Sequence, residues 1–149
     1  MNIIAIRNIT RNPLQSMQVN PARNWQINPA RNWQINPARN WLIDPVRNIQ
    51  IDPRRNMIID PIRVFNIPGY YICSVADSNC YYFTVRSQVQ NVLLIFDANK
   101  NFLFFAVGML DCYAIFSMPD FGYVGTLCPN GIGRYNWFSL NGEWQYFLT

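Results

Sequence analysis

Residues 20–43 read NPARNWQI, NPARNWQI, NPARNWLI, and residues 44–67 continue DPVRNIQI, DPRRNMII, DPIRVFNI. These six octads share the pattern Asn/Asp, Pro, any residue, Arg, Asn, large apolar, any residue, Ile. A looser octad, NPLQSMQV, occupies residues 12–19, and residues 1–11 form a lead in which Arg7-Asn8-Ile9 is the remnant of another. Proline at every eighth position forbids a continuous helix, because each one removes a donor and clashes with the preceding turn. A period of eight is even, so equivalent positions in an alternating strand would all face the same way.

Each octad therefore reads as a turn followed by a minimal strand. Asn/Asp-Pro starts the turn, and the second Asn, as at Asn24 or Asn32, is expected to end it in the left-handed conformation. The sixth position runs Met17, Trp25, Trp33, Trp41, Ile49, Met57, Phe65. The eighth runs Val19, Ile27, Ile35, Ile43, Ile51, Ile59, Ile67. Both columns are apolar, and alternation places both of them inward, with the tryptophans as core residues rather than a stacking platform.

Eight residues are too few to circle a solenoid, whereas two octads supply turn, strand, turn, strand. The expectation for residues 12–67 is a β-solenoid with two octads per coil. Seven octads would stack about three and a half coils, on the order of 17 Å. Alternate octads would form separate ladders, Arg23, Arg39 and Arg55 on one side and Arg31, Arg47 and Arg63 on the other. The organisation resembles the calcium β-roll of RTX proteins, in which two nine-residue repeats make one coil. The glycine-rich, Asp-bearing turn of those proteins is missing, so no calcium is implied.

Pro68-Gly69 ends the repeats and the composition changes. Residues 68–149 hold 19 of the chain's 23 aromatic residues. Residues 1–67 carry nine Arg and three Asp, a charge of +6, and the remainder carries −2, which gives the overall +4. Short apolar runs broken by turn residues predict strands near 69–76, 80–86, 92–97, 102–107, 112–117, 121–127, 133–139 and 143–148. Asn141-Gly142 marks a hairpin with a type I′ turn. Eight such strands predict a small antiparallel meander, a barrel or a sandwich, capping one end of the solenoid. The whole chain is thus expected to be all-β. Residues 92–148, with Ile95-Phe96-Asp97-Ala98-Asn99-Lys100-Asn101, resemble a hairpin unit of the tubby-like and scramblase family over part of that fold, on generic strand and turn signals.

The chain has no histidine, one lysine (Lys100) and one glutamate (Glu143). The commonest general base and the commonest metal ligand are therefore missing, no nucleophile has an evident base, and an enzyme is not expected. Asp97–Asn101 imitates the start of an EF-hand loop. It has Phe102 where that loop needs glycine and Gly108 where it needs glutamate, so it reads as a turn. Gly131-Ile132-Gly133 lacks the third glycine of a dinucleotide site. No cofactor and no metal site are expected. Cys73, Cys80, Cys112 and Cys128 show no zinc spacing, and buried thiols are favoured over disulfides. The apolar start is too short for a secretory leader and the longest apolar run is nine residues. No Sec signal and no membrane span are expected, which leaves a cytoplasmic place or export by a non-Sec route.

The arginine column, Arg23, Arg31, Arg39, Arg47, Arg55 and Arg63, is the most specific chemical feature. It is a candidate polyanion-binding stripe. The competing and favoured reading is structural: each Arg bonds neighbouring carbonyls or pairs with Asp44, Asp52 or Asp60. The expected function is a structural, self-assembling repeat protein, a homo-oligomer or filament built through solenoid ends and strand edges. The alternative is a non-catalytic binding module for a glycan or a polyanion.

Overall fold

A computed structural model describes residues 20–63, 69–89, 91–109 and 111–149. The octad at 12–19, the lead at 1–11 and the end of the sixth octad lie outside the described residues. Within 20–63 the expected β-solenoid is corrected: no octad contains a strand. Trp25–Ile27, Trp33–Ile35, Trp41–Ile43, Ile49–Ile51 and Met57–Ile59 are each one turn of 3-10 helix.

The asparagines decide this locally. The Asn20 carbonyl accepts the N–H groups of both Arg23 and Asn24 at 2.9 Å, and Asn20 Oδ1 accepts from the Ala22 N–H. Asn24 is extended rather than left-handed, with φ −118°, and its Oδ1 accepts from the Gln26 N–H at 3.0 Å as a helix N-cap. The Asn28 N–H then returns to the Trp25 carbonyl at 3.1 Å. The same set of bonds recurs at Asn32, Asn40, Asn48 and Asn56. The Asn side chain before each three-residue segment and the backbone N–H of the Asn or Asp after it bond the segment locally, so no partner strand is required.

A 3-10 helix has three residues per turn, so residues two apart point roughly 120° apart instead of to one side. The inward placement of the tryptophans is accordingly corrected. Ile27, Ile35, Ile43 and Ile51 are buried, whereas Trp25, Trp33 and Trp41 are 52–53% exposed and Ile49 and Met57 are exposed with them. The two-octad coil is corrected as well. Hydrogen bonds within the array span two to ten residues, so each octad is fastened to the one before it. Asn32 Nδ2 donates to the Gln26 carbonyl, and Asn40, Asn48 and Asn56 repeat that bond one octad on each time.

The second part is an eight-stranded closed antiparallel barrel in simple meander order. Its strands are β1 (Tyr71–Ser74), β2 (Cys80–Arg86), β3 (Val92–Asp97), β4 (Phe102–Met109), β5 (Cys112–Ser117), β6 (Tyr123–Pro129), β7 (Tyr135–Ser139) and β8 (Trp144–Leu148). All eight expected strands are present, and pairing of β1 with β8 through Ile72↔Leu148 closes the barrel. Closure removes the free edges that an open sheet would present. The last hairpin is as expected, but its turn differs. Gly142 alone carries the positive φ, +86°, and Ser139 bonds both Gly142 and Glu143. This is a three-residue loop with glycine at its left-handed end, not a type I′ turn.

Strand alternation gives the barrel two faces. Ile72, Leu93, Ile95, Ala106, Ile115, Leu127, Trp137 and Leu148 form the interior. Rings meet across it: Trp137 of β7 lies 5.3 Å from Phe104 of β4 and 6.1 Å from Tyr82 of β2. Gly125 makes room for this ring, since a Cβ there would stand 2.6 Å from Trp137 Nε1. The opposite faces of β2–β5 carry Phe83, Val85, Leu94, Phe96, Phe105, Val107 and Phe116. These form one core with Ile27, Ile35, Ile43 and Ile51 of the octads. The octads thus line the barrel's outer wall instead of having it cap their end. This explains why Val92–Phe96 is buried without alternation, as strands covered on both faces are.

Polar ties fix the same contact. Lys100 Nζ lies 2.8 Å from Asp60 Oδ2, Arg54 donates to Asn101, and Gln88 meets Gln50. Cys73 and Cys80 form a disulfide between β1 and β2, which corrects the expectation of thiols throughout; Cys112 and Cys128 are buried thiols. No helix among the described residues is long and apolar enough to cross a membrane.

Candidate polyanion interface

The first residue of each octad sets the work of its arginine. Proline carbonyls at the second position face the next octad and need a donor. Where the next octad begins with asparagine, its amide supplies one: Asn28 Nδ2 donates to the Pro21 carbonyl at 3.2 Å, and Asn36 Nδ2 to Pro29 at 3.0 Å. An aspartate in that place has no donor to offer. Arginine then takes over. Asp44 Oδ2 holds Arg47 Nε at 2.7 Å, and Arg47 Nη2 donates to the Pro37 carbonyl at 2.8 Å. Asp52 holds Arg55 at 2.7 Å in the same way, and Arg55 bonds the Pro45 and Val46 carbonyls. Asp60 stands 3.4 Å from Arg63 Nε.

The six predicted arginines therefore divide into two sets. Arg47, Arg55 and Arg63 are each held by the carboxylate three residues before them. Arg23, Arg31 and Arg39 follow asparagine, are exposed, and form no salt bridge among the described residues. The unneutralised arginines sit in the octads that carry tryptophan. In chain order the surface residues are Arg23, Trp25, Arg31, Trp33, Arg39 and Trp41. A guanidinium and a half-exposed indole thus recur at every eighth residue, on an array whose isoleucines are pinned to the barrel.

Sequence reasoning found the arginines but set the tryptophans aside as core. The overlooked signal was the coupling of positions: Asn at the first goes with Trp at the sixth, and Asp with Ile or Met among the described octads. Two other places give no further site. Asp97 closes its own turn, with Oδ1 accepting from the Asn99 and Asn101 N–H groups and Oδ2 from the Asn101 amide. Burial works to raise the Asp97 pKa, but these bonds and the charge of Arg54 outweigh it and hold the carboxyl below its usual value. Among the described residues no three His, Cys, Asp or Glu side chains stand together as a metal site.

No known family model, curated protein or solved structure matches this chain.

Proposed function

We propose that the chain is a non-catalytic binding protein whose octads present a ladder of arginine and tryptophan to an anionic polymer. The observation that carries this reading is the exposure of Trp25, Trp33 and Trp41 in the very octads whose arginines have no carboxylate. Guanidinium groups bind phosphate, sulfate or carboxylate, and flat indoles stack on bases or sugar rings. Periodic spacing suits a ligand that is itself a repeat. Heparin and single-stranded DNA are the probes. Binding should weaken with salt in proportion to the anionic groups engaged. R31Q/R39Q should lower affinity and reduce the salt slope by about one per lost contact. R47Q/R55Q should keep the binding but lower stability. Equal affinity of R31Q/R39Q and the parent chain would overturn the reading.

Self-association is the second reading, favoured by the same exposed apolar column, Trp25, Trp33, Trp41, Ile49 and Met57. Contiguous exposed apolar surface marks interaction sites, and a second copy is one way to cover it. Such assembly would run through the octad face or the ends of the array, since the barrel is closed. Concentration-dependent sedimentation that W33A abolishes supports it. A monomer at every concentration removes it.

A further inference from the structure

The barrel has a mouth at the end where β1, β3, β5 and β7 begin. Tyr70, Tyr113 and Tyr135 meet there, with Tyr135 edge-on to Tyr70 at 6.1 Å and to Tyr113 at 5.4 Å. Above them is a cavity of about 310 Å³, bounded also by Arg86, Asn91 and Leu93. That volume lies at the small end of the range for small-molecule sites, and barrel mouths are a usual place for them. Three phenols, one guanidinium and the Asn91 amide line it beside Val92 and Leu93, so donors for an anion and rings for an aromatic group stand together. Arg86 is exposed at the end of β2 and forms no salt bridge among the described residues. Burial, with the neighbouring Tyr113 and Tyr70 and the charge of Asp111, pushes the Tyr135 phenol up to about 12, so it stays uncharged well into alkali.

We propose that this mouth binds a small aromatic carboxylate, with its ring against Tyr70, Tyr113 and Tyr135 and its carboxylate on Arg86. The site is separate from the octad ladder and does not depend on it. The chemistry is reversible binding: an anion satisfies the guanidinium, and edge-to-face contact with the tyrosines holds the ring.

The test is an amide NMR titration of the full chain with sodium benzoate, and with benzyl alcohol as the uncharged counterpart. Benzoate should move the Leu93, Tyr113 and Tyr135 amides saturably within the millimolar range expected for a ligand this size. R86Q should weaken benzoate about tenfold or more, the worth of a charge-assisted hydrogen bond, and leave benzyl alcohol unchanged. W33A should change neither. The proposal fails if benzoate at about 10 mM leaves the mouth amides unmoved. It also fails if R86Q binds benzoate as the parent chain does, or if the shifts fall on the octad tryptophans instead.

Discussion

At position 44 one oxygen replaces one nitrogen of a side-chain amide, and the duty of an arginine changes with it. Asn36 donates its own amide to the Pro29 carbonyl, whereas Asp44 must recruit Arg47 to serve Pro37. The exchange makes a sharp prediction. R47Q leaves the Pro37 carbonyl and the Asp44 carboxylate without their partner and should cost on the order of 1 kcal/mol. D44N/R47Q should recover most of that loss, because the new amide can donate as Asn28 and Asn36 do. Urea unfolding of the two variants measures it. A double variant no more stable than R47Q would show that the two donors are not equivalent. This exchange follows from hydrogen-bonding inventory, but the sequence hides it. Nothing in the one-dimensional pattern says that the second-position carbonyl faces the next octad.

At the scale of the element, the octad is a 3-10 turn, and the two apolar columns separate. Ile43 is fully buried, so I43A should cost about 2–5 kcal/mol, the range for truncating a core aliphatic. W33A removes a larger but half-exposed side chain and should cost less than I43A. A strand would have placed both side chains on one face, and both truncations would then be expensive. Thermal melts of the pair therefore distinguish the two local structures. Alternation at two residues was a fair inference from Trp-x-Ile, but a three-residue segment fits a strand and a 3-10 turn equally well by pattern. The capping asparagines settle it. Both flanking Asn side chains bond the main chain two residues on, which favours a helical turn over a ladder.

At the scale of the molecule, two elements of unlike composition share one core. Asp60, 1% exposed, ties the array to Lys100 of the barrel. Burial works to raise its pKa, but the Lys100 hydrogen bond, the Ile62 N–H and the charges of Lys100 and Arg63 outweigh burial and hold it below 3.8. A depressed carboxylate contributes stability above its unfolded value, so that contribution should fade as pH falls below about 4. K100Q should shift this acid transition to higher pH, read by circular dichroism. Alkali acts in the opposite sense. Burial, then the hydrogen bond to Tyr146, pushes Tyr82 up to about 12, and burial does the same for Tyr135. A raised phenol stabilises the fold fully below pH 10, and that stability is lost between pH 10 and about 12. Stability should therefore be flat from about pH 5 to 9 and fall on both sides. A protein still at full stability at pH 12 would contradict the partial burial of these tyrosines.

The barrel strands were legible because they declare themselves locally: Val92-Leu-Leu-Ile-Phe96 is a buried run, and Asp97, Asn101 and Gly142 punctuate it and its neighbours. The repeat, its period and its isoleucine column were equally plain. The sequence by itself determined that the region after the repeats forms a meander of eight short strands and that the octads are equivalent units with two apolar columns. Only the tertiary structure decided that the isoleucines bury against the barrel wall rather than against each other across a coil. A three-residue apolar segment carries no long-range address, so its partner is set by the complementary apolar face, here the outer side of β2–β5. The same contact turns Trp25, Trp33 and Trp41 outward beside arginines that asparagine has released from structural work.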